Sequence, residues 1–443
     1  MQQVGELLRE AKFHAALVRL ACLGRALNVE GLSALSAWER LPSGKEPWDQ
    51  ETRLLEDCTS DDEAARPPVA TLATEIAEAP LAWLQALDQF CRTEYAPGVF
   101  ACPLQIKDGD QAHWLLPIHA DGIDGAYRRQ FGNMDRWLHW HRVVPCEIGG
   151  LQVSCPQLPH GYPELLAKPM DCEVLRVAIA QFADGATLQW EQCGERHFRV
   201  TGLDDHTKRE AAILAVMDSA RKADAQILVL PELTVPGAVA ARITDRLYDC
   251  SADPDHDLAV PLVMLGSFHE PGESGWRNHG RLVTGIDGTT LLATDKRCAV
   301  TFGKSPDDLC EDLNTAPVPF SMLMTPIGLL ALAICKDFFD GHVAQAIGAI
   351  GPDWILVPSM SNSLSPHQDA SARLGRLHGS RVLVANQPMP GTEPAKHGFL
   401  QVGKNLHDTD CENQGIHFHV FKVELPKRSA PPVNKRATIR LIK

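Results

Sequence analysis

The chain has 443 residues, 44% of them hydrophobic and 22% charged, with a formal net charge of −14. That length predicts one large core and a second, smaller one, because compact domains run to roughly 100–250 residues. The acidic balance argues against nucleic acid, whose phosphates demand a clustered surplus of Lys and Arg that is not found here.

No membrane span is predicted: the longest apolar stretch, Met322 to Cys335, is broken by Pro326 and Gly328, and a span needs about 20 apolar residues. Glu6, Arg9, Glu10 and Lys12 near Met1 do not resemble a secretory leader. The 13 cysteines are scattered without regular spacing, which predicts reduced thiols and a cytoplasmic protein. No CxxC pair occurs, and His139, His141, Cys146 and Cys155 lack the spacing of a zinc site. Neither a metal nor a cofactor is expected.

Residues 3 to 38 have helical apolar spacing, through Leu7, Leu8 and Ala11, then Leu17, Val18, Leu20 and Leu23. Residues 71 to 92 repeat it around Ile76, Leu81, Leu84, Leu87 and Phe90, and Ser60 to Pro68 is a polar hinge between the two. Residues 1–142 are therefore predicted as an accessory, mainly helical N-terminal domain of unknown function. It shows no catalytic constellation, and a protein partner could dock there. Pro and Gly crowd the stretch from Val143 to Met170, so residues 143–172 read as a linker.

Residues 173–443 alternate strands and helices, as an α/β domain does. Val174 to Gln181 is a short aliphatic run of the kind buried on both faces of a sheet. A helix is predicted from Asp205 to Lys222. Ala225 to Leu230 is a strand stopped by Pro231, with Glu232 next. Val260 to Phe268 and Gly280 to Gly285 are two further strands, followed by a run into Lys296. Ser321 to Met324 and Leu329 to Ile334 form a hairpin that ends at Cys335. A helix follows through Val343, Ile347 and Ile350, then strands at Trp354 to Pro358 and Val382 to Asn386.

A carboxylate, an ammonium and a thiol thus each leave a separate strand. These are the parts of a general base, an oxyanion clamp and a nucleophile. A cysteine in an apolar strand is ordinarily an inert core residue, but Glu232 and Lys296 reverse that reading for Cys335. A free thiol is only a few per cent ionised at neutral pH, so a base and an ammonium are what would make it reactive. Asp337 is read as an anchor for the turn. Other chemistries lack their motifs: there is no GxSxG, Cys298 stands where a phosphate loop would open with glycine, and Pro271 follows His269-Glu270 where a zinc helix would need to continue.

In order, Leu230-Pro-Glu232-Leu, Asp295-Lys296-Arg and Ile334-Cys335-Lys-Asp337 resemble the Glu-Lys-Cys signature of the nitrilase (carbon-nitrogen hydrolase) superfamily. Val177 to Gln181, Gly266-Ser-Phe, Asn278 with Leu282-Val-Thr, Thr325-Pro-Ile-Gly328, Leu356-Val-Pro358 and Ala385-Asn-Gln387 resemble its strands and turns. The resemblance covers about residues 173 to 425. It implies an αββα sandwich, that is, two mixed sheets face to face with helices outside, and at least a homodimer. It further implies that Glu232 is the general base, that Cys335 forms an acyl-enzyme with a small amide or nitrile, and that Lys296 and the backbone N–H of Lys336 hold the oxyanion.

One departure matters. The family places a second glutamate in a stretch ending Phe-Gly-Glu, where this chain has Phe302-Gly303-Lys304. An inward Lys304 would favour the Cys335 thiolate and leave the second carboxylate missing. An outward Lys304 would leave Asp307, Asp308 or Glu311 to supply it. The Gly398 to Asp408 region also matches the family poorly.

Three functions stay open. Cys335-Lys-Asp337 lacks the tryptophan that follows the cysteine of true nitrilases, which points to a thiol-dependent carboxamide hydrolase. The same acyl-enzyme could instead serve an acyltransferase or an ammonia-supplying amidase. A catalytically impaired sensor or scaffold acting with a protein partner, of the kind a bacterial defence module would use, is the third.

Overall fold

The alternating runs beyond residue 172 fold into two sheets. The structure is a computed structural model. It describes residues 1–30, 49–93, 103–117, 138, 140–170, 172–183, 186–251, 260–273, 275–302, 308–313, 319–388, 397–409 and 417–425.

The first sheet has six strands, in the order Thr290–Asp295, Gly275–Thr284, Leu262–Gly272, Ile227–Val229, Val174–Gln181 and His417–Glu424. The second has eight, in the order Asn405–Asp408, Gly398–Val402, Arg381–Gln387, Trp354–Met360, Gly328–Leu332, Phe320–Thr325, Leu151–Ser154 and Glu147–Ile148. Each has a parallel centre flanked by antiparallel strands. The two pack face to face over one apolar core that draws Val177, Ile179, Ile227 and Met264 from the first sheet and Leu330, Leu332, Leu356 and Leu383 from the second.

Alternate residues of the same strands face outward and meet helices. Ala178, Leu228 and Val263 pack under the helices His206–Lys222 and Gly237–Ser251, whose inner stripe is Ile213, Val216, Val239 and Ile243. Ala331, Val357 and Val382 pack under Gly341–Ile350 and Ser365–His378 through Ile347, Ile350 and Leu374. Burial on both faces is why these strands read as continuous apolar runs. The result is the four-layer αββα sandwich.

The predicted helix starts where expected, with Asp205 as N-cap accepting from the Lys208 N–H, and Gly351 ends the later helix in the left-handed conformation. The first helical stretch breaks into Gln2–Arg9 and Phe13–Glu30 at Ala11, whose φ is +54°. Residues 31–38 lie outside the described set.

The stretch read as a linker has structure of its own. Leu151–Ser154 pairs in parallel with Phe320–Thr325 and so extends the second sheet, and Tyr162–Met170 is a helix. Gly149, Gly150, Pro156, Pro159 and Gly161 sit between these short elements, and Pro163 and Pro169 lie within the helix itself, which is why composition alone suggested a connection. Ahead of it, five described helices pack round a separate apolar core. Beside them lies a three-stranded sheet of Leu104–Asp108, Gln111–Pro117 and His141–Pro145, which helical spacing did not foretell. Strand alternation lets that sheet face two ways: Leu115 and Val143 join the helical core, while Leu116 and Val144 join the outer core of the second sheet. Among the described residues no helix is long and apolar enough to cross a membrane.

Candidate active site

The carboxyl ends of the parallel strands of both sheets converge, the place where open α/β sheets present their chemistry. Glu232 leaves Ile227–Val229 and forms a bridge to Ser267, whose carbonyl accepts the Leu233 N–H at 2.7 Å. A bulge between Met264 and Ser267 makes that alignment, and it requires Gly266. Gly266 has φ +62°, and a Cβ there would lie 2.1 Å from the Pro231 carbonyl oxygen. Lys296 follows Thr290–Asp295, with its N–H donated to Asn278 O at 2.8 Å.

Cys335 opens a 3-10 turn, Cys335–Phe338, at φ +47°. A non-glycine residue held there stores roughly 1–3 kcal/mol of strain, so the surroundings must enforce it. Asp337 in that turn accepts the N–H groups of Arg297 at 3.0 Å and Cys298 at 2.7 Å. One buried carboxylate therefore locks the cysteine turn to the lysine strand. Burial pushes Asp337 up to about 6, and the Cys298 and Arg297 N–H groups offset this only in part.

The Lys296 ammonium donates to Glu232 Oε1 at 2.8 Å and to Glu311 Oε2 at 2.6 Å. Asn278 Nδ2 bridges the same pair, at 2.9 Å to Glu232 Oε1 and 3.1 Å to Glu311 Oε1. His269 Nε2 lies 2.8 Å from Glu311 Oε1, while its Nδ1 accepts the Val200 N–H at 2.8 Å. That backbone donor fixes the tautomer, so Nε2 carries the proton toward Glu311. Burial opposes ionisation of Glu311, but the Lys296 charge and the His269 hydrogen bond outweigh it and bring the carboxyl down to about 2. Burial likewise opposes the Lys296 charge, yet Glu232 and Glu311 hold it well above the usual lysine range.

The main-chain N–H of Met360 donates to Glu232 Oε2 at 2.9 Å. Ser359, the residue before it, has its Oγ 3.4 Å from the Cys335 sulfur, so one strand end holds both carboxylate and thiol. Burial, then the charge of Glu232, push the thiol up to about 12, while Lys296 and a hydrogen bond from Ser359 pull the other way. Burial and the Glu232 charge outweigh Lys296, so the resting sulfur is protonated at neutral pH, and a base is needed beside the ammonium, as expected from the sequence.

Of the residues singled out in the sequence, Glu232, Lys296 and Cys335 are brought together, at 1%, 2% and 4% exposure. Lys336 is half-buried and turns its side chain to Ala299 O at 3.2 Å and Asp340 at 3.6 Å, which leaves its main-chain N–H as what it can offer. Phe302 pairs with Leu309 through the backbone. Its side chain, Lys304 and Asp307 lie outside the described residues, as does His139. Of the carboxylates that could replace the glutamate of Phe-Gly-Glu, Glu311 meets Lys296.

Sequence reasoning missed His269, Ser359 and His367 and gave Asn278 no role in the chemistry. His269 and Asn278 are direct cross-strand partners, buried to 3% and 0% exposure. A polar residue on an inward-facing strand position was the available signal.

No protein-family model and no curated protein matches the sequence. Solved structures do. This chain is similar to nitrilase-superfamily amidases. A cysteine-to-serine mutant of the Nesterenkonia AN1 amidase from the nitrilase superfamily is 18% identical, with a TM-score of 0.38 over 57% of this chain and 92% of that one. A glutamate-to-glutamine mutant of the amidase from Nesterenkonia sp. AN1, with the acetamide moiety of fluoroacetamide added covalently at its active-site cysteine, is 17% identical, with a TM-score of 0.39 over 61% of this chain and 93% of that one. The C. elegans NitFhit protein is 16% identical, with a TM-score of 0.42 over 56% of this chain and 60% of that one.

Proposed function

We propose that the chain hydrolyses a small carboxamide through an acyl-enzyme on Cys335. Glu232 takes the S–H proton as the sulfur attacks the carbonyl carbon, because a protonated thiol needs a base in contact with it. The developing oxyanion is held by the Lys296 ammonium and the Lys336 main-chain N–H. Collapse breaks the C–N bond, and the proton on Glu232 leaves with the amine. Glu232 then takes a proton from water, which attacks the thioester and releases a carboxylic acid and the free thiol.

The observation that carries this reading is that one strand end holds both groups: the Met360 N–H donates to Glu232 Oε2 at 2.9 Å and the adjacent Ser359 hydroxyl lies 3.4 Å from Cys335 Sγ. Glu311 and Asn278 support it by keeping Lys296 and Glu232 in register. With Glu311 against Lys296, the substitution at Lys304 does not deprive the site of a second carboxylate, which weighs against a disabled scaffold.

The test is intact-mass measurement after incubation with a panel of small amides. A hydrolase gives an acyl adduct confined to Cys335, absent in Glu232→Ala, and free acid as product. Adding hydroxylamine separates transfer from hydrolysis, since a transferase delivers most of the acyl group to the amine. An unacylated Cys335 across the panel, with iodoacetamide equally without effect, sinks the reading.

A further inference from the structure

A line of hydrogen bonds reaches the Cys335 sulfur through Ser359, and the acid–base steps above make no use of it. Ser359 Oγ lies 3.4 Å from Cys335 Sγ and 3.2 Å from His367 Nε2. Ser359 closes the apolar run Trp354 to Pro358, and His367 lies in the helix Ser365–His378, so two separate elements supply the pair. Both side chains are enclosed, at 0% and 1% exposure. The imidazole is boxed by rings of the cysteine turn itself: Phe338 stacks with centroids 6.3 Å apart, and Phe339 meets it edge-on at 4.8 Å.

A hydroxyl has one proton to give. If Ser359 donates to the sulfur, its oxygen must accept from His367, which places the ring proton on Nε2. The bare Nδ1 agrees: it has no hydrogen-bond partner among the described residues, and a buried lone pair is tolerated more readily than a buried orphan N–H. Burial pushes His367 down to about 4, with the Lys296 charge acting in the same direction, so at neutral pH the ring is neutral and has one proton to place.

We propose that His367 and Ser359 form a positioning relay in which the imidazole N–H orients the Ser359 hydroxyl and that hydroxyl donates to the sulfur as Glu232 takes the S–H proton. The relay rests on the reading of Cys335 as the nucleophile. In the step it serves, the S–H bond breaks and an O–H bond forms on Glu232, while Ser359 and His367 keep their protons throughout. They steady the thiolate and do not carry charge away. Such a donor matters here because Glu232 and burial both disfavour a negative sulfur, and Lys296 is already engaged by two carboxylates.

The experiment is the pH dependence of iodoacetamide alkylation at Cys335, located by peptide mass, in the full chain and in Ser359→Ala, His367→Ala and His367→Gln. Loss of one hydrogen bond to the thiolate is expected to slow labelling at pH 8 roughly tenfold, with the whole alkylation profile displaced toward higher pH. Ser359→Ala and His367→Ala should both do so, and His367→Gln, whose amide N–H can stand in for Nε2, should recover most of the rate. An unchanged profile in Ser359→Ala overturns the relay, as does a His367→Gln variant no better than His367→Ala, for then the ring only packs. If the imidazole variants fail to fold, Ser359→Ala decides alone. A folded wild-type chain whose Cys335 is unreactive at every pH removes the hydrolase reading and the relay together, whereas a reactive Cys335 indifferent to Ser359→Ala removes only the relay.

Discussion

Glu311 Oε2 accepts from Lys296 Nζ at 2.6 Å across a separation of 15 residues. Glu311 reaches that place on the short strand Leu309–Glu311, which pairs in parallel with His197–Leu203. A carboxylate from a neighbouring ladder thereby stands in for one expected on the loop after Lys296. Glu311→Gln should leave the fold intact but let Lys296 lean on Glu232 alone, which draws the base away from the sulfur. A fall in kcat of roughly 10²-fold with little change in KM is expected, and steady-state kinetics on any amide accepted by the wild type will measure it.

The same carboxylate makes stability depend on acid. Its folded value lies at about 2, below the ordinary 4.5, so the unfolded chain binds its proton first as pH falls. Glu311 therefore favours the folded state fully above pH 4.5, and that contribution drains away between about 4.5 and about 2. The loss over this window is on the order of 3 kcal/mol. Urea midpoints measured from pH 2 to 6 should fall more steeply in the wild type than in Glu311→Gln.

Gly266→Ala tests whether the bulge places the base. The position combines φ +62° with a backbone oxygen 2.1 Å from where a Cβ would sit, so neither side-chain repacking nor a rotamer change relieves the clash. A loss of roughly 3 kcal/mol or more is expected, together with slower Cys335 acylation, because the Ser267 bridge that aligns Glu232 must shift. A variant with wild-type denaturation and turnover would show that the bulge does not hold the base.

What could be read in advance follows the physics of each element. The strands Val174–Gln181, Trp354–Met360 and Arg381–Gln387 are buried on both faces, and their unbroken apolar runs announced them. The helix Ser365–His378 was silent because its buried face is His367, Ser371, Leu374 and Gly375, a stripe without apolar period. Gly237–Ser251 does carry a readable stripe, Val239, Ala240, Ile243 and Leu247, and was overlooked. Glu232, Lys296 and Cys335 stood out because each ends a run. Glu311 could be named only as one of three alternatives with Asp307 and Asp308, since its strand is three residues long and owes its place to pairing with a distant hairpin. Ser359, inside such a run, was hidden by it.

Asp337 offers a separate test of the lock between the cysteine turn and the lysine strand. Asp337→Ala leaves the Arg297 and Cys298 N–H groups without their acceptor, a cost of roughly 1–3 kcal/mol. Because Lys296 precedes these residues directly, its ammonium should lose its fixed relation to Cys335, and acylation should slow by more than the stability loss explains. Asp337→Asn keeps an acceptor oxygen and should retain much of the rate. Equal damage from both changes would mean that charge, and not the hydrogen bonds, is what the turn requires.

Arg142 sets the opposite case, a contact that should matter for stability and not for chemistry. Its guanidinium donates to Gly351 O at 2.8 Å and to Asp353 Oδ1 at 3.3 Å, with both side chains at 6% exposure. Asp353 Oδ2 accepts the Leu329 N–H at 2.8 Å, at the start of the strand that leads to Cys335. The strand His141–Pro145 is therefore pinned to the second sheet through a buried ion pair. Arg142→Ala removes one partner of that pair and should cost roughly 3 kcal/mol. Leu329 and Cys335 are about 20 Å apart along an extended strand, so the pH profile of Cys335 alkylation should not move. A shifted profile at unchanged stability would place Arg142 in the chemistry of the site and contradict this account of its role.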